Sequence, residues 1–183
     1  MKQEGEDKMD VINHIDLKRL NETIQRIKKD PSKAKKVTKI EGEWILKSIN
    51  APQFRAEIQT EKQKFTIGAD QPTSLGGGGT RLSPMHYCLY GVAACTAATF
   101  ATVAATEGVK LRKMRVTVEG HMNFSKTLGI SDNPIVEEIK LMITVDSDAD
   151  DKKIEALKRL VEERCPAVFC LTTPVKMTVE VVS

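Results

Sequence analysis

Aromatic side chains are scarce in this chain, with 5 Phe, 2 Tyr and 1 Trp among 183 residues. So few rings exclude a binding face of stacked aromatics, such as a single-strand nucleic-acid platform needs. Cysteine is sparse as well, at 4 residues. That is too few for a disulfide-built scaffold and fits a reduced intracellular setting. The opening residues MKQEGEDKMD lack an apolar stretch, so no secretory signal is expected there. No internal repeat is present. What the chain does have is a 40% hydrophobic content, enough for a substantial core, and a length suited to one domain, or one domain plus an appendage. A soluble, cytoplasmic protein is expected.

Charge is unevenly placed. Residues 1–50 carry 12 Lys/Arg against 9 Asp/Glu, and the remainder carries 16 against 16, so the whole net charge of +3 belongs to the N-terminal segment. Its densest part, Arg26 to Lys39, holds seven basic residues and one acid, Asp30. These residues straddle Asp30-Pro31-Ser32, a helix-stop and turn signal. A solvated face and linker accounts for them better than a phosphate-binding groove, and no nucleic-acid partner is expected.

Residues 10–29 read as an amphipathic accessory helix, with Ile12, Ile15, Leu20, Ile24 and Ile27 approximating one stripe. From Glu43 to Asp70 the pattern turns to strands: Trp44-Ile45-Leu46, Phe54 to Ile58 and Phe65-Thr66-Ile67. Gln71 to Thr80 is a loop containing Pro72 and four consecutive glycines, Gly76 to Gly79. That glycine run lacks the Gly-Lys-Ser/Thr of a phosphate loop, so a flexible turn is expected. The resulting division places an accessory helix and basic linker in residues 1–45 and the main domain in 46–183.

Between Arg81 and Glu107 lie 25 residues without an Asp, Glu, Lys or Arg. Ser83-Pro84 reads as a helix start, with a capping hydroxyl and proline at the first helical position, and Gly108 reads as its stop. The length would permit a membrane span. However, strong hydrophobes are few (Leu89, Val92, Phe100, Val103), and five Thr or His side chains interrupt them. A helix apolar all round in a soluble chain is a central one wrapped by other elements, so this helix is expected to be the buried axis, with no membrane partner.

Further on, Met114, Val116 and Val118 alternate with polar residues, as do Ile139, Leu141, Ile143 and Val145. These runs predict a long hairpin with one wet face. A second helix is expected from Asp148–Asp151 to Arg164, with Ile154, Leu157 and Val161 inward, ended by Pro166. Val175, Met177, Val179 and Val181 predict a final strand.

Cys95 lies in the middle of the charge-free helix and Cys165 at the C-terminal end of the second helix. The plain reading treats buried cysteines as small hydrophobes. The alternative is that helix packing brings the two sulfurs together for chemistry, which needs a thiolate stabilised by positive charge or hydrogen-bond donors. Arg55, Arg81 and His86 are the candidate activating or substrate-site residues. Cys88, seven residues before Cys95, is expected in the core, and Cys170 is a second-ranked partner for Cys95. No metal site is expected, because no Cys-x-x-Cys pair occurs and His86 and Cys88 point to nearly opposite sides of a helix. His14, on a charged helix, and His121, on the polar phase of its strand, read as surface residues.

Several of these segments together resemble the OsmC/Ohr superfamily. They are Ser83-Pro84-Met85 through Ala93-Ala94-Cys95-Thr96-Ala97, Thr106-Glu107-Gly108, the strand Val116-Thr117-Val118-Glu119-Gly120, and Cys165-Pro166. The element order over residues 52–183 is also similar. The resemblance implies an α+β fold: two central helices per chain packed between β-sheets of an intertwined homodimer, with active sites at the subunit interface. It further implies a cysteine-based peroxidase reducing organic hydroperoxides, with Cys95 as peroxidatic and Cys165 as resolving thiol. An external dithiol would serve as reductant, and no cofactor would be needed. Members of the superfamily carry a glutamate one or two residues after the proline that opens the signature helix, where this chain has Met85 and His86. His86 also sits about 13.5 Å from Cys95 along an ideal helix axis, out of contact within one chain. Two other functions are compatible with the sequence: a non-catalytic binder of apolar small molecules on the same dimeric fold, and an adaptor acting through residues 10–39.

Overall fold

The computed structural model describes residues 11–46 and 51–182. The chain divides into two compact units, Arg26–Tyr90 and Met1–Gln25 with Gly91–Ser183.

The first described residues correct the helix expected over 10–29. Strands β1 (Val11–Ile12) and β2 (Ile15–Asp16) pair antiparallel, and helix α1 begins only at Leu17 and runs to Lys29. Asn13 and His14 form the turn at φ 54° and 66°, a left-handed region that asparagine tolerates through its short polar side chain. Tertiary contact decides the conformation here. The Asn13 side-chain amide donates to the Val109 carbonyl, and its oxygen accepts from the Leu111 N–H, both at 2.8 Å. It thereby imitates a neighbouring strand, and a local helical stripe carries no trace of a partner so distant in sequence. His14 is exposed in this turn rather than on a helix. Asp16 accepts from the Arg19 N–H at 3.0 Å and so closes the first turn of α1, which buries none of its residues fully.

In the unit Arg26–Tyr90, strands β3 (Gly42–Trp44), β4 (Phe54–Gln59) and β5 (Lys64–Ala69) make an antiparallel meander. The first strand lies slightly earlier than the run Trp44–Leu46, and residues 47–50 are outside the described set. Gly42 is required at its place, since a Cβ there would stand 2.5 Å from the Phe54 ring and 2.6 Å from the Arg55 carbonyl. The glycine-rich segment that follows is built around a carboxylate. Asp70, only 3% exposed, accepts from the Gly78 N–H (3.3 Å), the Thr80 N–H (3.0 Å) and the Thr80 hydroxyl (3.1 Å). These donors, with the Thr80 amide foremost, hold its carboxyl below the usual range against the effect of burial. The expected flexible turn is therefore a loop pinned by a buried acid.

In the other unit, the charge-free stretch forms helix α2 (Pro84–Thr106), whose opening residues are grouped with the smaller unit. Gly108, at φ 73°, ends it as the sequence predicts, and the Val109 N–H returns to the Ala104 carbonyl at 2.8 Å. By length and composition α2 could cross a bilayer, but core helices of soluble proteins pass the same test. Strands β6 (Leu111–Met122) and β7 (Val136–Ser147) form the long hairpin, pairing Met114 with Val145, Val116 with Ile143 and Val118 with Leu141. Helix α3 (Asp151–Arg164) starts where Asp150 accepts from the Lys153 N–H at 2.8 Å. Phe100, Val103, Ala104, Val109, Leu157, Val161 and Cys165 form the hydrophobic core.

Four further expectations change. Pro166 does not merely stop α3, because it opens another helix, α4 (Pro166–Thr172). Proline at a first helical position wastes no N–H, so one residue serves both as stop and as start. Residues 173–182 pair with no strand among the described residues, and Val175, Met177, Val179 and Val181 stand exposed. Alternation reports an apolar face but not the presence of a neighbouring ladder. Finally, α2 is buried only in part: Thr96, Phe100, Val103, Ala104 and Ala105 are buried, whereas Tyr90 is 71% exposed. Cys88, expected in the core, is likewise exposed.

Candidate functional site

Two helices and the start of a third place two sulfurs side by side. Cys95 comes from the middle of α2, and Cys165 stands between α3 and α4, as the C-cap of one and the N-cap of the other. Their Sγ atoms are 3.7 Å apart. A disulfide needs about 2.05 Å between sulfurs, so a closure of less than about 2 Å would join them. Phe100, Leu157 and Val161 belong with Cys165 to one hydrophobic core, and Cys95 packs against it, so the core shared by α2 and α3 also brings the two sulfurs near each other. Both cysteines are free thiols, as are Cys88 and Cys170.

The two thiols differ in access and in acidity. Cys165 is fully buried and Cys95 is half-buried. Burial pushes the Cys95 thiol up, the Ala167 N–H opposes that rise, and the neighbouring Cys165 sulfur adds to it. Burial would also raise Cys165. The Val168 N–H, the hydroxyls of Thr96 and Thr99 and the Cys95 thiol outweigh that effect, so its thiol is lowered. Thr96 is fully buried, with Oγ1 3.8 Å from the Cys165 sulfur. The Thr99 hydroxyl is 2.9 Å from the Cys95 carbonyl and donates there, so of the two, Thr96 is the hydroxyl free to serve Cys165. Burial thus raises the half-buried Cys95 thiol, whereas the donors around Cys165 lower its thiol.

The three candidate activating residues all belong to the unit Arg26–Tyr90, not to the unit holding the two sulfurs. Arg55, on β4, donates from Nη2 to Glu43 Oε1 at 2.6 Å. Arg81 donates to the Thr80 carbonyl at 2.9 Å. His86, in the first turn of α2, lies with Nδ1 2.8 Å from the Ser83 hydroxyl, and Ser83 in turn accepts from the His86 N–H at 3.3 Å. Each is thus engaged locally, and His86 reads as part of a helix cap.

Sequence reasoning missed Thr96 and the two α4 amides. The signal for the amides was present, since Cys165-Pro166 is an N-cap followed by proline at the first helical position. Thr96 adjoins Cys95, but a threonine inside an apolar helix does not reveal which neighbour its hydroxyl will meet. Cys170, on α4, is exposed and borders an open groove of about 670 Å³ lined by residues 170–177. Among the described residues no group of three His, Cys, Asp or Glu side chains is arranged to hold a metal ion.

The sequence matches the family model for OsmC-like proteins over residues 76–180. In structure the chain is similar to an OsmC-like protein from Mycoplasma pneumoniae, with TM-score 0.54 and 23% identity over 74% of this chain and 87% of that one. It is similar also to a Psychrobacter arcticus protein named for osmotic stress induction and detoxification response (TM-score 0.55, 17% identity, 73% and 88% covered). A third likeness is to an OsmC-like protein of unknown function from Vibrio cholerae (TM-score 0.53, 12% identity, 75% and 96% covered). At these identities the structures speak for the fold alone, and no curated protein sequence matches. Mixed helices and sheets, the paired cysteines in their helical settings and a family match across more than half of its length make this chain a member of the OsmC/Ohr superfamily.

Proposed function

We propose that this protein is a cysteine-based thiol peroxidase that reduces organic hydroperoxides. The observation that carries this reading is the 3.7 Å separation of the Cys95 and Cys165 sulfurs, a spacing from which a small closure forms a disulfide. Cys95 is the attacking thiol, because it is the one that solvent reaches. It attacks the O–O bond of ROOH as the thiolate, and the proton it has given up goes to the departing alkoxide. Cys95 becomes a sulfenic acid, and the alkoxide leaves as ROH once protonated. Cys165 then displaces hydroxide from the sulfenic sulfur, forming the Cys95–Cys165 disulfide and water, and an external dithiol returns both thiols. Cys95 packs against an apolar core, which suits an alkyl or aryl hydroperoxide better than hydrogen peroxide.

A homodimer belongs to the same reading. Exposed apolar side chains on the first turns of α2 and along residues 173–182 would be covered by a second copy. Free thiols fit a reducing cytoplasm.

The test is a single turnover. Reduced protein given one equivalent of cumene hydroperoxide should lose two thiols per chain and yield a Cys95–Cys165 linked peptide, and Cys95→Ser should abolish peroxide consumption. Unchanged thiol counts in the wild type would overturn the proposal. They would leave the non-catalytic binder, which the raised Cys95 thiol favours.

A further inference from the structure

A third thiol stands on the helix that meets the pair, and the chemistry above does not use it. Cys170 lies on α4, the helix whose first turn meets both reacting sulfurs: the Ala167 N–H serves Cys95 and the Val168 N–H serves Cys165. Cys170 is three residues beyond Ala167, so the two share a face of α4 one turn apart. Helical side chains lean back toward the N-terminus and cover the preceding turn. The Cys170 side chain is therefore directed along that face toward the turn where Cys95 sits. Cys95 also registers the charge of Cys170, which helps to raise its thiol.

Access gives this placement a use. Once a Cys95–Cys165 disulfide has formed, one of its sulfurs is sealed, and a bulky dithiol has only the half-buried Cys95 side to approach. Cys170 is exposed and opens onto the groove lined by residues 170–177, which also carries Lys176.

We propose that Cys170 is an exchange thiol that carries the disulfide from the buried pair to the surface, where the external dithiol reduces it. The proposal rests on the peroxidase reading. The Cys170 thiolate attacks the Cys95 sulfur of the Cys95–Cys165 disulfide. A Cys95–Cys170 bond forms, the Cys95–Cys165 bond breaks, and Cys165 leaves as the thiolate and recovers a proton. One thiol of the external dithiol then attacks the Cys170 sulfur, releasing Cys95, and its second thiol closes the reductant's own disulfide and releases Cys170. Two electrons pass from the dithiol to the protein, matching the two that the peroxide removed.

The experiment compares wild type, Cys165→Ser and Cys170→Ser after one equivalent of cumene hydroperoxide. In Cys165→Ser, the Cys95 sulfenic acid should be resolved by Cys170, giving a Cys95–Cys170 linked peptide and the loss of two thiols. In Cys170→Ser, the first turnover should proceed as in wild type, whereas reduction of the oxidised protein by dithiothreitol should slow by about tenfold or more. Oxidised wild type held in a glutathione buffer should show both linked peptides. The relay is overturned if Cys165→Ser keeps a dimedone-reactive sulfenic acid beside an alkylatable Cys170. It is equally overturned if Cys170→Ser is reduced at the wild-type rate and wild type shows only the Cys95–Cys165 peptide. The last two measurements do not depend on how well Cys165→Ser folds. In either case the peroxidase reading stands, whereas a wild type inert to peroxide ends both.

Discussion

The surroundings of the sulfur pair and the loop around Asp70 are fixed by opposite means. Cys165 is held by packing, with Phe100, Leu157 and Val161 around it and a single buried threonine hydroxyl nearby. The Asp70 loop has little apolar packing and is held by a carboxylate that accepts from two amides and a hydroxyl. Packing is insensitive to pH but sensitive to volume, whereas a buried charge network is the reverse. The sulfur pair is therefore set in a frame that does not titrate, and the segment leading into α2 is set in one that does.

Removing volume should have the largest effect. Leu157→Ala should cost about 2–5 kcal/mol of stability, read as a lowered urea midpoint, while the Gly78 and Thr80 amides keep their exchange protection under native conditions. Equal loss of protection in both places would break the comparison. Next in size, Asp70→Asn keeps the shape and removes the charge. It should speed exchange at the Gly78 and Thr80 amides by about tenfold without altering the thiol chemistry.

A pH titration sharpens the same contrast. The Asp70 carboxyl is held below its ordinary value of 3.8, so its stabilisation is complete above that value and is lost as pH falls through the lowered one. Loop protection should stay flat from neutrality to about pH 4 and decline below it, and the Asp70→Asn loop should not show that step. Arg55→Gln should have the smallest effect. It breaks an exposed pair with Glu43 and should change stability by less than about 1 kcal/mol. A large loss of peroxide turnover at unchanged stability would instead assign Arg55 an activating role.

Much of the frame was legible in the sequence because its signals are local. Ser83-Pro84 and Gly108 bracket α2, Asp150 caps α3, and period-two alternation marks β6 and β7. The position of the two cysteines at the middle of one helix and the end of another also follows from such signals. What escaped depends on partners distant in sequence. Asn13 turns β1 into β2 because it meets Val109 and Leu111, and no property of residues 10–16 announces that contact. Asp70 looks like an ordinary loop acid until the glycines fold back onto it. Residues 173–182 and the exposed start of α2 show the converse: an apolar pattern is present in the sequence, but it does not say whether the chain itself covers that surface. Thr96 lay next to a cysteine already singled out, but its hydroxyl serves the other one.

Pro166 also decides how donors are shared at the sulfurs. With no hydrogen on its own nitrogen, it leaves the first turn of α4 two amides for the thiols, and each thiol draws on one of them. An ordinary residue in its place would add a third N–H to that turn. Its ring fixes the backbone at the start of α4 as well. The two amides that meet the sulfurs are thus the first that this turn can offer, because the residue before them has no hydrogen to give.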